Sequence, residues 1–143
     1  MKHLIIVLLF AFVFYGCGSA YHAMESGTGF TDGVTPVGTY LVTFTGEMKT
    51  TEAQVREYAL WHCAEITVAK GASFFEVVNE RSSKAVEKKE YQTPNGYGFA
   101  SGSYTNTTEA YTVSLEIKML TTKPPKLTHP FYYATGMITM IRH

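Results

Sequence analysis

The chain has only two cysteines, Cys17 and Cys63, and the first closes an apolar leader, so no disulfide framework can carry the fold. An excess of one charge is also missing. Twelve Lys and Arg balance twelve Asp and Glu, which leaves no basic patch to recommend nucleic acid. Past Tyr15 no run is apolar and long enough to cross ~30 Å of hydrocarbon, a span that takes about 20 residues. There is no P-loop, nucleophile elbow, paired-cysteine motif or dinucleotide fingerprint, and with them go the commonest sequence signs of nucleotide binding and covalent catalysis.

The N-terminus is what stands out. Lys2 and His3 precede an unbroken apolar run from Leu4 to Tyr15, followed by the small residues Gly16, Cys17, Gly18, Ser19 and Ala20. A short basic region, an apolar region and small residues together mark an export signal. Two cleavage readings compete. In one, Gly16-Cys17 ends a lipobox: residues 1–16 are removed and Cys17 carries the lipid, although Phe14 and Tyr15 stand where such sites usually have Leu and a small residue. In the other, an ordinary signal peptidase cuts after Ala20 and discards the cysteine. The lipid reading is preferred, since burying acyl chains at ~0.8 kcal/mol per methylene holds a protein on a membrane with no crossing helix.

The remaining chain has the length of one domain. Residues 17–38 are rich in Gly, Ser, Thr and Pro and read as a tether, with Phe30 the unexpected aromatic, expected to dock on the domain. Residues 39–143 read as an α+β domain: a small sheet of about three to four strands with one main helix packed on it, in the order strand, helix, strand, then hairpin-like strands. Thr39–Thr45 alternates as a strand that is apolar on both faces. Thr50 or Thr51 can cap a helix from Glu52 to about Lys70, stopped by Gly71. At 100° per residue Val55, Ala59, His62 and Ile66 share the face expected on the sheet. Leu60, Trp61 and Val68 lie elsewhere and call for cover, expected from the apolar C-terminal segment, read as a short helix or an edge strand. Ser73–Glu80 is a second strand, with a right-handed crossover if it runs parallel to the first. Arg81–Glu90 reads as a strand end and solvated turn, Gln92–Glu109 as a long loop, and Ala110–Leu120 as a strand with one wet face.

Four segments resemble those of a family of small uncharacterised bacterial lipoproteins, the Caulobacter-type lipoprotein family. They are Gly29-Phe30-Thr31-Asp32, Tyr40 to Glu47, Tyr58 to Thr67, and Gly71 to Phe75. The chain departs from the pattern at Glu47, His62 and Cys63, where the family favours Asn, Arg and Ala. The resemblance implies a lipid anchor at Cys17, and with Gly18 rather than Asp after it, sorting to the outer membrane, facing the periplasm. It implies no activity.

Some residues could carry chemistry. His62 and Glu65 share a helix side, with Tyr58 one turn earlier and Cys63 adjacent. A metal or acid/base site needs further ligands, so the preferred reading is structural: Glu65 as a partly buried carboxylate that bonds backbone or a Tyr hydroxyl and fixes the helix on the sheet. Cys63 reads as a buried, inert thiol. Tyr91, Tyr97, Phe99 and Tyr104, among Gly, Asn and Ser, either form a loop that stacks on a glycan or small molecule or reflect low complexity. The first expectation is a non-enzymatic envelope lipoprotein that meets other envelope proteins or the cell wall, without a cofactor. A glycan- or small-molecule-binding module and, last, a metal-dependent enzyme are the alternatives.

Overall fold

The computed structural model describes residues 21–92 and 102–141. They form an antiparallel sheet of five strands in the order β1-β2-β4-β3-β5, with two helices. The elements are β1 (Gly29–Val34), β2 (Tyr40–Thr45), α1 (Glu52–Ala69), β3 (Phe74–Gln92), β4 (Ser103–Leu120), β5 (Phe131–Tyr133) and α2 (Ala134–Ile141). The class is α+β, with a sheet larger than the three to four strands the sequence suggests. β2 and β3 both run antiparallel to β4, which lies between them, so the α1 crossover skips one strand.

The helix boundaries follow from their caps. Thr51 accepts from the Gln54 N–H while the Gln54 side chain accepts from the Thr51 N–H at 3.1 Å, a capping box. At the other end Gly71 adopts φ +78°, the left-handed turn that glycine supplies without strain. Val55, Ala59, His62 and Cys63 are buried on the side that meets Val42, Phe44, Phe75, Val77, Val113, Leu115 and Ile117 of the sheet. Leu60, Ala64 and Thr67 are buried too, and the 100° period puts them on a second side. α2 packs against α1, burying Ala134 and half-burying Met137 and Ile138 against the same core.

Several expectations differ from the fold. Residues 21–34, read as part of a tether, belong to the folded body. β1 pairs with β2 along its length, and His22 to Met24 bridge to Phe30. Arg81–Glu90 is no turn, because β3 passes through an irregularity between Val77 and Asn79 and continues to Gln92, paired with β4 throughout. Ser103–Glu109 accordingly belongs to β4 rather than to a loop. This ribbon lacks apolar alternation because neither face is covered, but β-branched Thr105, Thr107 and Thr108 suit an extended chain and cross-strand pairs such as Lys84 with Glu109, at 2.7 Å, hold it. The C-terminal segment is both of the forms considered, strand then helix, yet it does not cover Trp61. Tyr21 stacks on Trp61 instead, and Val68 stays exposed.

β2 also has an open face: Leu41, on one of its two apolar sides, is exposed, since among the described residues no second layer lies on that side. Leu115→Ala, at the fully buried centre of β4, should cost about 2–5 kcal/mol in urea unfolding. Val86→Ala, on the uncovered ribbon, should stay within about 0.5 kcal/mol.

Candidate functional site

The densest convergence of polar and aromatic groups lies where α1, β1 and the segment before β1 meet. α1 presents Tyr58, Trp61, His62 and Glu65 on one side, the 3–4 residue spacing that stacks side chains along a helix. β1 contributes Phe30 and Asp32, two apart and therefore on the same face of the strand. Tyr21 enters from the N-terminal side.

His62 is 6 % exposed and bonded at both ring nitrogens. Nε2 lies 2.7 Å from Asp32 Oδ2, and since an ionised carboxylate only accepts, Nε2 is the donor. Nδ1 faces the Tyr21 hydroxyl at 3.1 Å and Glu65 Oε2 at 3.4 Å. The Tyr21 hydroxyl donates to Glu65. Phe30 stacks on the imidazole with ring centres 3.8 Å apart, and Tyr21 stacks on Trp61 at 4.4 Å. Tyr58 closes the wall, 5.2 Å from Phe44 and 6.0 Å from Tyr21. Burial, and then the bond to Glu65, push the Tyr21 phenol well above the usual tyrosine range, so the protonated hydroxyl is the form that fits here.

The geometry ties α1, β1 and the segment before β1 together. The two carboxylates engage opposite nitrogens of one ring, so they do not converge, and among the described residues no three His, Cys, Asp or Glu side chains could hold a metal. Cys63 points into the core, fully buried, and burial pushes its thiol far up, away from the reactive thiolate. Glu65 does meet a tyrosine hydroxyl, that of Tyr21, while Tyr58 serves through its ring. The composition of the sequence hid two members of this cluster, Tyr21 and Asp32, inside what reads as tether. Their signal is an aromatic and an acid placed among Gly, Ser and Thr.

The aromatic loop is divided. Tyr97 and Phe99 lie outside the described residues. Tyr104 is on β4, where it stacks on Tyr91 at 5.2 Å with both rings about half exposed. A polar groove of about 440 Å³ runs between Lys49–Glu52, at the start of α1, and Asn106–Glu109 of the ribbon, with Tyr111 as its aromatic residue. Tyr91 and Tyr104 do not line it. Elsewhere Glu76 accepts from His129 at 2.6 Å, which holds its carboxyl below the ordinary range and fastens the segment before β5 to β3. Arg56 makes a two-pronged bond to Glu80 at 2.7 and 3.0 Å. No family model, curated protein or solved structure matches the chain.

A raised tyrosine pKa in the folded state contributes stability that is complete below the ordinary value of about 10 and is lost as pH climbs past it. Unfolding followed through Trp61 should therefore show stability falling above about pH 10, and Tyr21→Phe should remove the part of that fall due to the phenol. Cys63 should react with a thiol reagent at least about 100-fold more slowly in the folded than in the unfolded protein.

Proposed function

We propose that this chain is a lipid-anchored envelope protein with a non-enzymatic, structural or interaction role. Cys17 carries the lipid after removal of residues 1–16, and the α+β domain sits on the periplasmic side of the bacterial outer membrane. The observation that carries this reading is Gly16-Cys17 at the end of the Leu4–Tyr15 apolar run. Both residues lie outside the described part of the structure. The burial of Cys63 supports it, because the other thiol of the chain is closed inside the core. The resemblance of four segments to the Caulobacter-type lipoproteins is a part of this reading, and no family model matches the chain to carry it further. The non-enzymatic role draws on the His62 cluster, in which His62, Asp32, Glu65 and the Tyr21 hydroxyl bond to one another.

A second reading, a module that binds a glycan or small molecule, draws on the half-exposed Tyr91–Tyr104 pair, because an outward ring face can stack on a sugar. That reading expects Tyr104→Ala to abolish retention on envelope glycans while leaving the fold intact. The anchor is tested by growing cells on a clickable fatty acid and weighing the intact product. Wild type should carry label and start at Cys17, and Cys17→Ser should carry none. An unlabelled wild-type chain that starts at Tyr21 contradicts the anchor.

A further inference from the structure

We propose that the hook formed by Tyr21 to Phe30 is a stand-off latch: it clamps the chain just after the lipidated cysteine and so holds the domain directly on the bilayer surface. This rests on the anchor at Cys17 proposed above. The partner it implies is the lipid surface that carries the anchor.

The hook is built from several independent features. Ser26 and Gly27 both have positive φ, 51° and 87°, and Glu25 and Thr28 exchange backbone bonds of 2.8 and 3.0 Å, the geometry of a tight two-residue turn. The chain then doubles back on itself. The Phe30 N–H donates to His22 O and the Met24 N–H to Phe30 O, each at 2.9 Å. At the crossing only glycine fits: Gly29 has φ +105°, and a Cβ there would stand 2.5 Å from His22 O and 2.6 Å from Ala23 O. Tyr21 fastens the free end through Trp61 and Glu65, and Asp32 fastens the far end through His62.

The consequence is one of length. Gly18, Ser19 and Ala20 separate Cys17 from Tyr21, so four peptide steps set the reach, at most about 14 Å fully extended. With the hook open the first fixed residue becomes Gly29, and twelve steps allow about 43 Å. The first reach keeps the side of α1 that bears Trp61 and Tyr58 beside the headgroups. The second lets the domain leave them. Composition alone suggests a flexible spacer here, and the fold removes most of it.

Trp61 is the sole tryptophan, which makes it the reporter. Purified full-length lipoprotein, reconstituted in phosphatidylcholine vesicles doped with dansylated headgroup lipid, is measured for energy transfer from Trp61 to dansyl, as the ratio to undoped vesicles. A variant with twelve Gly/Ser residues inserted between Ser19 and Ala20 leaves the hook and the surroundings of Trp61 intact. Transfer should be strong in the native chain and at least about threefold weaker with the spacer, which adds roughly 40 Å of reach. Gly29→Ala, which blocks the crossing, should weaken transfer in the native-length chain while the far-UV spectrum is kept. Equal transfer with and without the spacer, from protein that floats with the vesicles, overturns the latch and leaves the anchor standing. Protein that carries no lipid and does not float removes the anchor and this inference together.

Discussion

One buried imidazole joins three parts of this molecule. His62 comes from α1, Asp32 from β1, and Tyr21 from the chain that leads to β1, and the two ring nitrogens are taken by groups from different segments. A buried polar ring is costly unless both nitrogens are satisfied, so the position of β1 and of the N-terminal segment is fixed by the helix as much as by strand pairing. Without Asp32 and Tyr21 the side of α1 that bears His62 would be a defect. With them it is the seam on which the edge of the sheet closes.

The rest of the architecture falls into place around that seam. The apolar inner face of β2, β4 and the start of β3 lies under α1, and α2 covers the second side that the low amphipathicity of α1 leaves exposed. Where this cover ends, the sheet does not. β3 and β4 run on as a two-stranded ribbon, from about Ser83 and Thr112 to Gln92 and Ser103, which at about 3.3 Å per residue is ~30 Å of hairpin. Its stability has to come from backbone pairing and from contacts such as Lys84–Glu109 and Tyr91–Tyr104, since it buries almost nothing.

The sequence announced the parts that depend on apolar periodicity and on caps. The bounds of α1 were legible from Thr51 and Gly71, and the core strand Ala110–Leu120 from the alternation of Tyr111, Val113, Leu115 and Ile117. It was silent where structure rests on something else. Arg81–Glu90 is polar because both its faces are wet, so a period-2 pattern has nothing to record, and the strand is set by its partner. Residues 21–34 have the composition of a linker because glycine and serine are needed for the turn at Ser26-Gly27 and the crossing at Gly29. The role of Glu65 as a partner for a tyrosine hydroxyl was readable, but its partner, Tyr21, lies 44 positions away, a distance no local pattern spans.

The segment from Tyr21 to Asp32 is an ordered piece of the fold, pinned on His62. Native-state hydrogen exchange at the Met24 and Phe30 amides addresses it most directly, because these donate the two bonds that close the hook and exchange reports the free energy of opening. In the wild type both amides should be protected by at least about 100-fold, and Tyr21→Ala should remove most of that protection while the α1 amides keep theirs. Exchange of Met24 and Phe30 at the open-chain rate in the wild type would contradict the account.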